Sequence, residues 1–70
     1  MKVEIIGEFI KLGQLIKKLN LIDTGGQIKD FIMNNEIKVN NEKPKGRSSK
    51  VFVGSTVWID EEVYKIVNAE

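Results

Sequence analysis

The sequence predicts a small α+β domain in which two short helices pack on a small antiparallel sheet. Two segments in the N-terminal half repeat apolar residues at helical spacing, and the C-terminal half consists of short β-rich runs separated by turns. The chain has 70 residues, so we expect one domain over residues 1–70. A domain of this size buries only about 60% of the surface of its unfolded chain, which leaves little room for an enclosed site.

The first helix is predicted within residues 11–22, after a short strand over residues 2–6. Its apolar residues recur at the i, i+3, i+4, i+7 positions of one helix face: Leu12, Leu15, Ile16 and Leu19. Asn20 is the expected end of this helix.

The second helix is predicted from about Gly25 to Asn34. Asp23 or Thr24 is expected to cap it, because a side-chain oxygen there can accept from the free amides of the first turn. Asn35 follows the expected end. A glycine inside a helix costs about 1 kcal/mol relative to alanine, so the Gly25-Gly26 pair requires an explanation.

The remaining chain predicts four short strands. Asn40-Asn41 suits a tight turn with positive φ, and Asp60-Glu61 is expected to join the last two strands. The residues expected to face inward from these last two strands are Val57, Ile59, Val63 and Val67. The predicted core comprises Ile5, Leu12, Leu15, Ile16, Leu19, Ile22, Ile28, Phe31, Ile32, Ile37, Val39, Val57 and Ile59.

Composition argues against catalysis. The chain has no histidine and no cysteine, which removes the commonest general base, a thiolate nucleophile and the usual zinc ligands. No phosphate-binding loop of the GxxxxGK[ST] type occurs. We therefore expect no enzyme activity, cofactor, metal or small-molecule substrate. The lack of cysteine fits a cytoplasmic setting, and no apolar run approaches the roughly 20 residues that cross a bilayer, so no membrane partner is expected.

Charge is unevenly distributed along the chain, although the net charge is only +1. Residues 38–50 carry five cations and one acid, while residues 60–70 carry four acids and one cation. A solvated basic loop explains the first segment without any ligand. The alternative is a local surface for a polyanion, and this interpretation gains support from the start of the second helix.

The segment TGGQIK (residues 24–29) combines features that suit a phosphate. Glycines remove side-chain bulk near free backbone amides, Gln27 adds a neutral donor, and Lys29 adds charge one turn later. Arg47 is the strongest candidate in the basic segment, because its planar guanidinium can bind phosphate through two parallel hydrogen bonds. Together these features favour contact with a structured RNA. The alternative is that Gly25-Gly26 only permits a sharp turn.

An alternative of another class is a protein-interaction adaptor. On this hypothesis Phe52, Trp58 and Tyr64 form a β face that docks a partner, and the charges serve only solubility. Trp58 and Tyr64 could equally be core residues or stack on a base.

Three motifs, LGQLIK, DTGGQIK and IKVNNE, are followed by a basic loop and VGSTVWI. In this order and spacing, over about residues 3–60, they resemble the RNA-binding domain named after ribosomal small-subunit protein four, the S-four domain. The chain is most similar to the small stand-alone bacterial subfamily of YaaA-like and YbcJ-like proteins. The resemblance implies an αL-type fold, in which two helices packed at an angle precede a hairpin, and the second helix and the following loop form the RNA surface.

The resemblance also implies a role for particular residues. At the start of the first helix, Lys11-Leu12-Gly13 stands where the family has an Arg-Leu-Asp pattern, so Lys11 takes the place of the arginine. Lys29 also stands where an arginine is usual in the family. In the basic loop Arg47 and Lys50 match the family pattern, whereas Ser48 and Ser49 replace a glycine and an arginine. The candidate RNA-binding residues are Lys11, Thr24, Gly25, Gly26, Gln27, Lys29, Lys45, Arg47 and Lys50.

Partners also follow from the resemblance. The expected partner is ribosomal RNA, with transfer RNA as the alternative and the large ribosomal subunit as a candidate assembly, in ribosome biogenesis or function.

Overall fold

The computed structural model describes residues 1–69. Six strands and two α-helices follow one another as β1 (Lys2–Ile5), β2 (Phe9–Lys11), α1 (Leu12–Lys18), α2 (Ile28–Asn34), β3 (Ile37–Val39), β4 (Lys50–Phe52), β5 (Thr56–Ile59) and β6 (Glu62–Asn68), with a 3₁₀ turn over Gly25–Gln27 before α2. The predicted α+β class is confirmed.

The helices end where the sequence predicts. Asn20 adopts φ +59° beyond α1, a conformation that asparagine tolerates better than most residues. Beyond α2, the side-chain amide of Asn35 donates to the carbonyl of Phe31 at 2.8 Å, which satisfies one of the free carbonyls of the last turn.

The main sheet is mixed rather than antiparallel throughout. Its strand order is β1-β6-β5-β3, and β1 runs parallel to β6, with Val3 beside Ile66. Parallel strands need a long crossover, which here is nearly the whole chain, so no local sequence signal announces the pairing. Strands β2 and β4 form a separate two-stranded antiparallel sheet. β2 was not predicted, because three residues are too few to display alternation.

In the β5–β6 hairpin, the residues of β6 that face the core differ from the predicted ones. The turn is the expected one, with Asp60 at φ +54°, and it aligns Val57 with Tyr64. Tyr64 and Ile66 are therefore buried on the core side, and Val63 and Val67 are only half-buried on the other side. The prediction that Val63 and Val67 face inward is wrong by one residue of register.

The hairpin predicted around Asn40-Asn41 is shorter than expected. Both asparagines have positive φ, but the returning chain makes a single bridge between Val39 and Glu42. Pro44 follows soon after and has no N–H with which to extend the ladder. β3 pairs instead with β5, and the chain between β3 and β4 forms a loop.

Most of the predicted core is buried. Val3, Val51, Tyr64 and Ile66 are buried in addition to the predicted residues. Five predicted core residues are only partly buried and pack against its margin: Leu19, Ile22, Phe31, Ile32 and Val39. Among residues 1–69, no helix is long and apolar enough to span a membrane.

Candidate nucleic-acid interface

The 3₁₀ turn before α2 is capped differently from the prediction. Thr24 is the N-cap residue, but its side chain makes no capping hydrogen bond. Instead the side-chain oxygen of Gln27 accepts from the backbone amides of Asp23, at 2.8 Å, and of Thr24, at 3.4 Å. Gln27, which the sequence indicates as a donor to a ligand, thus serves first to hold this turn together.

The fold does not require glycine at either position of the Gly25-Gly26 pair. Neither residue has a positive φ. A Cβ atom on Gly25 would meet only the flexible end of Lys17, with Nζ at 3.1 Å, and one on Gly26 would have Thr24 Oγ1 as its nearest neighbour at 3.9 Å. The backbone is therefore free of covering side chains at Gly26, as predicted, whereas the Lys17 side chain covers Gly25.

The segment from Lys43 to Lys50, here called the basic loop, is tied to the start of α1. The amide of Gly13 donates to the carbonyl of Arg47 at 2.9 Å, and the amide of Leu12 donates to the carbonyl of Ser49 at 2.8 Å. The first amides of a helix have no partner within the helix, so the loop satisfies two of them. The loop is therefore held in place by backbone contacts.

The basic loop is also folded on itself. The Ser49 hydroxyl accepts from the amides of Lys45, at 3.1 Å, and of Gly46, at 3.2 Å. This hydroxyl therefore fixes the backbone that carries Lys45 and Arg47.

Gly13 is the position where close packing excludes a side chain. A Cβ atom there would lie 3.3 Å from both Arg47 Cβ and Ile28 Cδ1, and 3.4 Å from the Arg47 carbonyl. The starts of α1 and α2 and the basic loop therefore converge on this buried glycine. This role was not predicted, because its only signal in the sequence is a glycine inside a helix.

Three candidate cations line one surface groove of about 440 Å³. Lys29 comes from α2, and Lys45 and Arg47 come from the basic loop. Ile32, Met33 and Gly46 complete the groove, and all three cations are exposed. Lys29 and Arg47 thus lie on the same side of the molecule, as a shared site demands.

These cations have no acidic partner among residues 1–69. The one ion pair within 4.0 Å in this part of the chain joins Lys38 and Glu36, at 3.7 Å. Cations without a carboxylate partner need not break an internal pair before they bind a phosphate.

Lys11 and Lys50 lie outside the groove, on the two-stranded sheet. They lie directly opposite each other on β2 and β4. Lys50 Nζ is 4.8 Å from the centroid of the Phe9 ring, which is within the range of a cation–π interaction. The nine candidate residues thus fall into three groups. The groove contains Lys29, Lys45 and Arg47, the turn contains Thr24, Gly25, Gly26 and Gln27, and the strand pair carries Lys11 and Lys50.

The aromatic residues of the adaptor hypothesis do not form one face. Tyr64 is buried on the core side of the main sheet, whereas Trp58 is exposed on the opposite side. Phe52 belongs to the separate β2–β4 sheet. The predicted docking surface is therefore not present as a unit.

The fold and the groove define a small α+β domain with a cationic surface built from its second helix and a loop tied to its first. The S4 domain family matches residues 3–67, and the chain belongs to this family of RNA-binding domains. A curated relative from Bacillus subtilis, named probable ribosome maturation protein RlbA, is 38% identical over 58 residues, which cover 83% of this chain and 82% of the relative. No solved structure matches significantly.

Proposed function

We propose that the chain binds structured ribosomal RNA through the start of its second helix and the basic loop, and that it acts in ribosome assembly or function in the cytoplasm. The observation that supports this best is the groove in which Lys29, Lys45 and Arg47 lie together without acidic partners among residues 1–69. The name of the Bacillus subtilis relative supports the ribosomal setting. Transfer RNA is the alternative ligand, and the large ribosomal subunit is the candidate assembly.

The three cations would act in different ways. The Arg47 guanidinium presents a planar fork that can donate two parallel hydrogen bonds to one phosphate, whereas Lys29 and Lys45 supply point charges. Because backbone hydrogen bonds already fix the carbonyls of Arg47 and Ser49, binding would order little additional chain. A preorganised loop of this kind favours high affinity, because little conformational entropy is lost on binding.

The turn at Thr24–Gln27 would border the bound RNA. Gly26 is exposed and has no side chain, so a phosphate–sugar backbone could approach its peptide groups closely. Lys17, whose ammonium lies over Gly25, adds a cation at this turn.

We propose binding without catalysis. The sequence offers no histidine or cysteine, and residues 1–69 contain no group of three acids, histidines or cysteines that could hold a metal ion. RNA recognition of this type requires no cofactor.

Substitution of Arg47 tests the proposal directly. Arg47→Glu should weaken binding to large-subunit ribosomal RNA by more than about tenfold, because a charge-assisted hydrogen bond contributes about 1.5–3 kcal/mol and the new carboxylate repels phosphate. Fluorescence titration measures the affinity, and circular dichroism verifies that the fold is intact.

Lys2→Glu is the matched control. It makes the same change of charge on β1, at the edge of the main sheet opposite β3. We expect nearly wild-type affinity for this variant. Equal affinities of Arg47→Glu and wild type would contradict the proposed function, and equal losses in both variants would mean that only net charge matters.

A further inference from the structure

The two-stranded sheet presents one face that combines aromatic rings with cations. Phe9 pairs with Phe52 and Lys11 pairs with Lys50, and residues two apart on a strand share a face. All four side chains are exposed, whereas Val51, on the other face, is fully buried in the core.

The two rings contact each other but stay open to solvent. Their centroids are 5.6 Å apart with an interplanar angle of 50°, and 51% of Phe52 and 37% of Phe9 is exposed. Lys50 Nζ approaches the Phe9 ring, so Phe52 is the ring with the larger free surface. An aromatic side chain this exposed leaves apolar area in water that a partner could cover.

The charges of this face favour an anionic partner. Lys11 and Lys50 are directly opposite, a like-charged arrangement that destabilises a strand pair, and neither has a carboxylate within 4.0 Å among residues 1–69. Trp58 offers a contrast, since it is exposed to a similar extent, at 40%, but shares its surface depression with two acids, Glu36 and Asp60, and with one cation, Lys38, which pairs with Glu36 at 3.7 Å. The Phe52 face therefore suits a nucleotide better than the Trp58 face does.

This face follows the groove of the proposed function along the chain. Lys50 is the last residue of the basic loop, and Lys11 immediately precedes α1, to which the loop is tied. An RNA strand bound by Arg47 would meet Lys50 and then Phe52 as it follows the chain into β4.

We propose that Phe52 is a stacking platform for one unpaired base of the bound RNA, with Lys11 and Lys50 holding the adjacent phosphates. The inference rests on the proposed function and adds its ligand class, namely structured RNA that carries an unpaired nucleotide beside the paired segment. Unpaired bases can stack on aromatic side chains, whereas bases inside a helix cannot reach them.

Two synthetic RNA hairpins test this proposal, one fully paired and one identical except for a single unpaired nucleotide in the stem. Wild-type protein should bind the second about tenfold more tightly, the scale expected for stacking one base on an aromatic ring. Phe52→Leu should lose this preference, and Phe52→Tyr, which keeps a ring, should retain it. Trp58→Leu is the matched control and should also retain it.

The salt dependence of RNA affinity distinguishes base stacking from phosphate contacts. Phe52→Leu should leave the slope of log affinity against log salt unchanged, whereas Arg47→Gln should weaken binding to both hairpins and reduce the slope by about 1. The single tryptophan, Trp58, reports folding of the Phe52 and Arg47 variants.

The outcomes distinguish the two proposals. If Phe52→Leu keeps the preference, or wild type has none, while Arg47→Gln still weakens binding, the stacking platform is wrong and the groove stands. If Arg47→Gln weakens neither complex, or wild type binds neither hairpin, both proposals are wrong. If sedimentation finds a dimer that Phe52→Leu dissociates, the face joins two copies of the chain and the inference is overturned.

Discussion

At the scale of single residues, the structure limits the reasons for which glycine can be needed at positions 25 and 26. Their backbone conformations are open to other residues, and no backbone atom crowds either position. A requirement for a sharp turn therefore does not explain them. We propose access to the peptide groups of the turn as the physical reason, which applies most directly to Gly26, since no side chain covers it.

Gly26→Ala should separate stability from binding. Alanine is expected to stabilise the domain by about 0.4–1 kcal/mol, because it restricts the unfolded chain at a position whose native conformation it can adopt. The added methyl group should nevertheless lower RNA affinity severalfold by blocking close approach. Urea unfolding followed by Trp58 fluorescence measures the first effect, and titration with ribosomal RNA measures the second. Full affinity in a stabilised variant would mean that RNA does not approach this turn.

Other residues could be interpreted only in part from the sequence. The sequence correctly indicated that Lys29 and Arg47 share a surface, and it identified Asn20 and Asn35 as helix ends. It could not assign Gly13, because the contact that excludes a side chain there comes from Arg47, which is remote along the chain. Such a role depends on tertiary packing and leaves no local pattern.

At the scale of elements, the turn of the β5–β6 hairpin determines which residues of β6 face the core. The turn at Asp60-Glu61 was predicted correctly, and a two-residue turn aligns Val57 with Tyr64. Directly opposed residues share a face, so the predicted turn itself implied that Tyr64 is buried. Apolar character alone had favoured Val63, which belongs to the other face.

The contact between α1 and the basic loop predicts the effect of filling the space at Gly13. Gly13→Val should destabilise the domain by about 2 kcal/mol, because overpacking would push Arg47 away from α1 and strain two backbone hydrogen bonds. RNA affinity should fall as well, since Arg47 would lose its fixed position. Urea unfolding and titration with ribosomal RNA measure the two effects.

Lys18→Val provides the control for this prediction. It introduces the same β-branched side chain on the exposed side of α1, so it reports the cost of helix propensity without the clash. Equal stability of the two variants would contradict the view that Gly13 is needed for close packing.

At the scale of the whole molecule, charge is concentrated rather than abundant. A net charge of +1 makes general attraction to polyanions weak, yet the groove gathers three cations without acidic partners among the described residues. The sequence predicted the basic segment from its composition. The expected grouping of Lys29 with that segment depends on the packing of α2 beside the loop, and the groove brings them together.

This arrangement predicts a strong salt dependence for a protein of such low net charge. Each neutralised phosphate contributes a slope of roughly −0.7 to −0.9 to log affinity against log salt, so the three groove cations alone predict a slope of about −2 to −3, and phosphate contacts from Lys11 and Lys50 would steepen it. Titrations with ribosomal RNA at several potassium chloride concentrations measure it. Lys45→Gln should reduce the slope by about 1, and Lys2→Gln, on the far edge of the main sheet, should leave it unchanged. A slope near zero would indicate that apolar contacts carry the interaction, as they would in a protein adaptor, and would contradict recognition through phosphates.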